Sequence, residues 1–199
     1  MTLLCAAPSP AVPSEAAAAL IAKLARPVPA STTFTEVRFV HMLRKPVVLR
    51  GQLSYGGPGK LGKRVEQPYR ETTTIADGRV EVTREGRAPK QFDLQRAPEL
   101  AALLTGFSAL LGGDSTTLQR LYTIILVENT ANWMLTLTPR SPSKHLRALV
   151  VQGSADAPRC FTLQQADGDS STMLLGTLAA AALPEAPTPV AIAAVCAKP

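Results

Sequence analysis

The stretch RGQLSYGGPGKLGKRVEQPYRETTTIADGRVEV, from Arg50 to Val82, decides the fold of this chain. It consists of short alternating runs rich in Val, Thr, Ile and Tyr, which favour strands, and glycine or proline separates the runs. Asp77-Gly78 is a strong hairpin signal because both residues tolerate the positive φ of a type I′ turn. The same texture continues from Thr32 to Arg96 and predicts about five short strands joined by hairpins.

A helical pattern interrupts the strands. In APELAALLTGFSALLGG, leucines recur at three- and four-residue steps after Pro98 until a Gly-Gly pair, which predicts a helix over 98–111. Alanine-rich residues 14–25 predict another helix near the start. About five further strand-like runs follow the central helix, and Asp167-Gly168 marks one more hairpin. Consecutive strands with such short connections predict an α+β fold with one antiparallel sheet, strongly curved or partly closed.

The length of the chain suits a single domain, because 199 residues can bury one core well but are few for two. We expect residues 1–13 to be a signal-derived or disordered segment and residues 14–176 to form the domain. The Ala/Pro-rich residues 177–199 are expected to be a loosely held or disordered tail. The chain contains no unbroken apolar run long enough to predict a transmembrane helix.

The charge of the chain is concentrated in one segment. The formal net charge is +6, and eight basic residues but only one acid lie between Arg38 and Arg70. Such a segment suits nucleic acid, an anionic membrane surface or an acidic protein, and a solvated strand face with no partner is equally compatible. An aromatic content of 5%, with no RNP-type or helix-turn-helix pattern, argues against nucleic acid. The candidate partner or membrane surface comprises Arg44, Lys45, Lys60, Lys63 and Arg64.

The reactive residue types form no recognisable catalytic or metal-binding pattern. His41 and His145 are not accompanied by a serine elbow, an H-E-x-x-H helix or a spaced pair of carboxylates, so we expect neither catalysis nor a cofactor. Cys5, Cys160 and Cys196 lack C-x-x-C spacing, which argues against a metal site. A single disulfide, either Cys5–Cys196 or Cys160–Cys196, is compatible with an oxidising compartment.

The chain has more aliphatic residues than are required to cover one face of a sheet whose other face is exposed to solvent. The helix over 98–111 is apolar over a wide arc, and the runs YTIILV and RALVVQ are apolar on both strand faces. Either the helices and the sheet pack together as an ordinary core, or they leave an apolar cavity under a helical lid. Strand parity and the helix stripe select these candidate cavity residues: Val37, Phe39, Leu49, Leu53, Tyr55, Leu103, Phe107, Leu110, Trp133, Leu135 and Leu137.

Five local signatures follow one another along the chain: FTEVRF from Phe34, GQLSYGGPGKL from Gly51, QPYRETTTIADGRV from Gln67, the helix from Pro98, and NWMLTLTPR from Asn132. In this order they resemble the periplasmic outer-membrane lipoprotein carriers of the LolA family, and the resemblance covers roughly residues 14–176. Two positions depart from the family pattern. Gly57 stands where an arginine precedes the proline of the first hairpin, and Glu36 stands where the family has glutamine.

The resemblance implies a curved, half-open antiparallel β-barrel covered by helices, with a hydrophobic cavity for acyl chains. It implies a monomeric periplasmic carrier that takes a lipoprotein or another envelope lipid from an inner-membrane exporter to an outer-membrane acceptor, with transient contacts to membrane surfaces. The alternative is an envelope sensor or regulatory module that uses the same fold to bind lipid or a partner protein. The departures at positions 36 and 57 indicate a diverged member of the family.

Overall fold

The structure, a computed structural model, describes residues 15–198, so the predicted N-terminal segment and Cys5 lie outside the described residues. The helices in this range are α1 (Glu15–Lys23), α2 (Pro98–Leu111), α3 (Ser115–Leu121) and α4 (Pro189–Ala197), with 3-10 helices at Leu94–Arg96 and Gly176–Ala180. The strands are β1 (Ala30–Phe39), β2 (Val47–Tyr55), β3 (Leu61–Gln67), β4 (Glu71–Ala76), β5 (Arg79–Arg84), β6 (Lys90–Asp93), β7 (Tyr122–Glu128), β8 (Trp133–Pro139), β9 (Leu146–Ser154), β10 (Ala157–Gln165) and β11 (Ser170–Leu175). No helix within residues 15–198 is both long and apolar enough to cross a membrane.

The strands form one open antiparallel sheet in the order β6-β5-β4-β3-β2-β1-β11-β10-β9-β8-β7. Two meanders, β1–β6 and β7–β11, meet where β1 pairs with β11, and this is the one pairing in the order between strands that are not consecutive in sequence. The insertion of α2 and α3 after β6 lets the chain cross from one edge of the sheet to the other. The predicted α+β class, with a single curved and open antiparallel sheet, is confirmed.

The turn chemistry positions the strands as the sequence predicts. Asp77 and Gly78 have φ of 50° and 74°, and they join β4 to β5 with Ala76 opposite Arg79. Both central residues therefore adopt the positive φ of a type I′ turn. By contrast, β3 was not among the predicted strands, because KLGKRVEQ mixes glycine and charge where strands are normally β-branched. Hydrogen bonding to β2 on one side and β4 on the other holds it in the sheet.

The sheet is covered on both faces. The inner face, which α1, α2 and α3 cover, carries the main core, and buried residues such as Ile21, Leu118 and Leu149 lie there. The outer face is covered in part by α4, which packs against β9 and β11. Side chains alternate between the two faces along each strand, so β1 directs Phe34 into the inner core and Val37 into a separate outer cluster.

The C-terminal segment is not the loosely held tail that its composition predicts. The Thr188 side chain caps α4 by accepting a hydrogen bond of 3.1 Å from the Ala191 amide, and Ile192 and Cys196 are buried in the outer cluster. Cys196 forms a disulfide with Cys160, which selects one of the two pairings left open by the sequence. The sequence concealed this helix because it is apolar on nearly all sides and therefore shows no helical period.

Gly106 allows the close approach of α2 to β7. A Cβ atom at this position would lie 2.6 Å from Oη and Cε2 of the Tyr122 ring, which is itself buried. Alanine normally stabilises a helix interior by about 1 kcal/mol relative to glycine. We expect Gly106→Ala to do the opposite and to lower the free energy of unfolding by roughly 1–3 kcal/mol through overpacking. Urea unfolding measures the change, with the exposed Thr105→Ala as control. Equal or greater stability of Gly106→Ala would contradict the expectation.

Candidate functional site

An apolar cavity of about 650 Å³ lies between α2 and the inner face of the sheet. Its volume falls within the range of pockets that hold small-molecule ligands, roughly 300–1,000 Å³. Strands from both meanders contribute to the wall, so the cavity extends across the junction of β1 with β11. The large apolar side chains of the wall are Leu53, Tyr55, Leu61, Ile75, Leu100, Leu104, Phe107, Leu111, Phe161, Met173, Leu175 and Leu178.

Helix α2 forms one wall of the cavity with a single stripe. Leu100, Leu104, Phe107 and Leu111 recur at three- and four-residue steps, which places them on one helical face. Each of them is only half-buried, whereas Leu110 on the packed side of the helix is fully buried. The helix is thus held by one face and presents the other to open space. A ligand in the cavity would complete the burial of this stripe.

An ionic cluster lies beside the cavity. Glu36 is 2% exposed and its carboxylate accepts hydrogen bonds from Arg38 Nε at 2.9 Å, from Arg38 Nη2 at 3.1 Å and from Lys63 Nζ at 2.5 Å. The Lys63 ammonium also lies 5.0 Å from the centroid of the Phe34 ring, where a cation is attracted to the π face. Lys63 lines the cavity, so this cluster places a positive charge in a mainly apolar wall.

The cluster shifts the pKa values of its members. Burial by itself would raise the pKa of Glu36, but the adjacent Lys63 and Arg38 outweigh it and hold that pKa below the ordinary value of 4.5. For Lys63 the balance is reversed, because burial lowers its pKa more than Glu36 raises it. Glu36 is therefore ionised at neutral pH, and its charge is shared between two cations.

Two arginines complete the charged part of the cavity wall. The Arg26 guanidinium donates to the backbone carbonyls of Leu24, at 2.8 Å, and Asp156, at 2.5 Å. The guanidinium of Arg159 donates to the carbonyl of Lys198. These contacts place both arginines near the residues at which β10 begins. Within residues 15–198, no group of three or more His, Cys, Asp or Glu side chains is placed to hold a metal ion.

The predicted cavity residues separate into four groups. Leu53, Tyr55 and Phe107 line the cavity. The inner core beside it contains Leu49, Leu110, Trp133, Leu135 and Leu137. Val37 and Phe39 belong to the outer cluster under α4, because odd-numbered residues of β1 point away from the inner face. Leu103 is half-buried on α2 and lies outside the cavity wall.

The large apolar wall residues that the sequence analysis missed are Leu61, Ile75, Leu100, Leu104, Leu111, Phe161, Met173, Leu175 and Leu178. A signal for two of them was present. The Asp77-Gly78 turn sets the register of β4 and β5, and extension of that register across β3 aligns Ile75 with Leu61 and Leu61 with Tyr55. Residues aligned across antiparallel strands share a face, so Ile75 and Leu61 follow from Tyr55 once β3 is recognised as a strand.

The predicted basic surface is divided among several places. Arg44 and Lys45 are exposed in the loop between β1 and β2, next to Met42 and Leu43, which are 81% and 50% exposed. Lys60 lies in the turn between β2 and β3, at the other end of strands that span roughly 30 Å. Lys63 faces the cavity, and the adjacent Arg64 points to the opposite face, where it pairs with Glu66 at 2.9 Å. Strand alternation therefore separates neighbours that a linear charge count groups together.

A profile of the family described as "Outer membrane lipoprotein carrier protein LolA-like" matches residues 6–198. The chain belongs to the LolA-like family. Solved structures with a similar arrangement include a LolA superfamily protein from Nitrosomonas europaea, with 10% identity, a TM-score of 0.48 and coverage of 83% of this chain and 92% of that chain. Another is the MucA/MucB complex of Pseudomonas aeruginosa, with 14% identity, a TM-score of 0.38 and coverage of 79% of this chain and 53% of that chain. No curated protein sequence matches this chain. These TM-scores are below 0.5, so the family assignment rests on the profile.

The two departures from the LolA pattern have clear structural settings. Gly57 has a φ of 106°, a backbone conformation that L side chains rarely adopt. The arginine expected from the family resemblance would therefore be strained in this turn, and no arginine function is assigned there. Glu36, in place of glutamine, is the buried centre of the ionic cluster. This LolA-like protein thus has a charged group at a position where the resemblance predicts a neutral one.

Proposed function

We propose that this LolA-like protein is a carrier that encloses the acyl chains of a lipoprotein or another envelope lipid and moves it toward the outer membrane. The cavity under α2 carries this proposal, because its wall is mainly apolar and the protein itself only half-buries the α2 stripe of Leu100, Leu104, Phe107 and Leu111. Each methylene removed from water contributes about 0.8 kcal/mol, so an acyl chain would be held mainly by burial. A carrier also has to release its cargo, and a helix packed on one face opens more readily than one packed on all sides.

The compartment and partners follow from this function. The Cys160–Cys196 disulfide supports an oxidising location, and we assign the protein to the periplasm. It would act as a monomer that receives cargo from an inner-membrane exporter and delivers it to an outer-membrane acceptor. The exposed loop with Met42, Leu43, Arg44 and Lys45 supports a transient contact with an anionic membrane, because apolar tips beside cations suit the lipid interface.

A sensor that binds a partner protein is the second candidate function, and the edge strand β7 favours it. Ile125 and Val127 on this strand are each 56% exposed. Among the described residues, β7 is the last strand of the sheet, so one side of its backbone has no neighbouring strand. Such an edge can accept a strand from another protein. Transfer of lipid between two vesicle populations would favour the carrier. Stable binding of a protein without any lipid transfer would favour the sensor.

The acyl-binding proposal is tested with a neutral probe, the methyl ester of a fluorescent polyene fatty acid. Replacement of Leu100 and Leu104 by glutamine changes side-chain size only slightly and keeps helix propensity, but it introduces polar groups into the cavity wall. Loss of contact with about two methylenes corresponds to roughly 1.6 kcal/mol, so we expect the double variant to bind the ester about tenfold more weakly in a fluorescence titration.

The matched control for this titration is Leu103→Gln, on the same helix and half-buried but outside the cavity wall. It should bind the ester like the unaltered protein. If the unaltered protein takes up no ester, the cavity does not bind acyl chains and the carrier proposal is wrong. Equal weakening by Leu103→Gln would show that the effect comes from the stability of α2 and not from contact with the probe.

A further inference from the structure

The charged side chains that line the cavity are all basic. Arg26, Lys63 and Arg159 belong to the wall, and no Asp or Glu does. From this asymmetry we propose that the cargo is an anionic amphiphile, whose acyl chain lies under α2 and whose phosphate or carboxylate headgroup is attracted by the positive charge of this wall. The inference rests on the proposed carrier function and specifies the chemical class of its cargo.

The net charge around Lys63 is positive, although Lys63 pairs with a carboxylate. Glu36 serves both Lys63 and Arg38, so one negative charge faces two positive ones. The next carboxylate along the sheet is Glu71, but it has its own partner, Arg84, at 3.9 Å. The ionic cluster and the neighbouring Glu71–Arg84 pair together contain three cations and two carboxylates. An anion beside Lys63 would balance the remaining charge without displacing any existing pair.

The two arginines have donors to spare. Each guanidinium carries five N–H donors in a planar fork, a geometry that matches the oxygens of phosphate and carboxylate. Arg26 uses its donors on backbone carbonyls, and the one hydrogen bond described for Arg159 is to the carbonyl of Lys198. Within residues 15–198, neither guanidinium forms an ion pair with a carboxylate. Both are half-buried, so they are less screened by water than a surface arginine.

The other polar groups of the wall also suit an anion. Thr32 and Thr73 belong to the wall, and their cross-strand alignment with Leu53 and Lys63 places their hydroxyl side chains on the cavity face of the sheet. A hydroxyl can donate a hydrogen bond to a headgroup oxygen as well as accept one. A cationic headgroup would find three like charges and no carboxylate in this wall. An anionic headgroup would find charge-assisted donors, which form stronger hydrogen bonds than neutral ones.

The test compares two lysolipids with the same acyl chain, lysophosphatidylglycerol and lysophosphatidylcholine, as competitors of the fluorescent ester at neutral pH. The first is anionic and the second zwitterionic, so the acyl contribution cancels. We expect lysophosphatidylglycerol to displace the ester at a concentration about tenfold lower. The preference should shrink as the salt concentration rises from about 50 to 500 mM, because salt screens the charges.

Variants assign the preference to the cavity cations. The double variant Arg26→Gln and Arg159→Gln should reduce the preference to about twofold or less, whereas Arg147→Gln, which removes an exposed arginine outside the cavity, should leave it at about tenfold. Equal displacement by both lysolipids would overturn the anionic cargo. A preference for lysophosphatidylglycerol that does not change with salt concentration would also overturn it, and the salt titration requires only the unaltered protein. In either case the binding of the neutral ester would still stand, so failure of this inference is distinguishable from failure of the carrier function.

Discussion

Replacement of Glu36 by glutamine is expected to lower the free energy of unfolding by roughly 3 kcal/mol at neutral pH, since removal of one partner of a buried ion pair typically costs 3–5 kcal/mol. The variant leaves Arg38 and Lys63 close together with no negative charge between them. We take the lower end of the range because the Arg38 side chain is 40% exposed and can turn toward water. Chemical denaturation of the two proteins measures the difference.

A double variant tests whether the loss of stability comes from the two cations that Glu36→Gln leaves without a carboxylate. Combination of Glu36→Gln with Lys63→Met removes one of the two cations left without their carboxylate, so it should be more stable than Glu36→Gln alone. If the double variant is less stable by the sum of the two single effects, the two side chains do not interact. That result would contradict the ionic cluster as described.

The pH dependence of stability provides a second test of Glu36. Its pKa in the folded protein lies below the ordinary value of 4.5, because Lys63 and Arg38 together outweigh the effect of burial. The carboxylate therefore stabilises the fold fully above the unfolded pKa, and this contribution is lost as the pH falls through the lower folded pKa. Glu36→Gln should lack this part of the acid sensitivity. The difference in stability between the two proteins should thus narrow below about pH 4.5.

The second large effect is expected on loss of the Cys160–Cys196 disulfide. Its residues are 36 positions apart in the sequence, and closure of a loop of this length stabilises a fold by roughly 3–4 kcal/mol through the entropy of the unfolded chain. The double variant Cys160→Ala and Cys196→Ala should therefore melt about 10 °C lower, given 2–4 °C for each kcal/mol in a domain of this size. Differential scanning calorimetry measures the shift.

Reduction distinguishes the disulfide from the packing of the cysteine side chains. Dithiothreitol should lower the melting temperature of the unaltered protein toward that of the double variant and leave the variant unchanged. The comparison is made in a Cys5→Ala background, so that no third thiol can exchange. If reduction leaves the melting temperature of the protein with both cysteines unchanged, the disulfide does not stabilise the attachment of α4.

Loss of the disulfide is expected to lower stability without weakening acyl binding. Helix α4 covers the outer face, whereas the cavity lies on the inner face under α2. The alanine pair should consequently keep its affinity for the neutral ester at temperatures where it remains folded. The disulfide-linked helix α4 and the cavity wall formed by α2 thus lie on opposite faces of the sheet.

Local patterns were sufficient for most of the secondary structure. The predicted helix over 98–111 coincides with α2, and the Asp77-Gly78 hairpin lies where the turn residues indicate. These features depend on residues close in sequence, on turn chemistry and on leucine spacing. β3 and α4 were missed for the opposite reason. Each has a composition that is ambiguous in isolation, and its partners in the sheet or across the outer face hold it in place.

The candidate site was less accessible to sequence reasoning. Leu103 and Leu104 are equivalent as leucines on an apolar helix, yet only Leu104 lines the cavity. The choice depends on the rotation of α2 about its axis, and the absence of a side chain at Gly106 permits the rotation at which the helix lies close to Tyr122. Val37 was assigned to the cavity because parity identifies two faces but does not identify which one the helices cover. The role of Glu36 depends on Lys63, 27 residues away.

The sequence by itself thus determined the class of the fold, the positions of its turns and the amphiphilic character of its strands, because these follow from local backbone preferences and side-chain periodicity. Tertiary structure alone decided where the two meanders meet, which face encloses the cavity, which cations enter its wall and where the last helix is attached. Those features arise from contacts between residues distant in sequence. A one-residue change in register would direct every side chain of a strand to the opposite face, so no local pattern determines them.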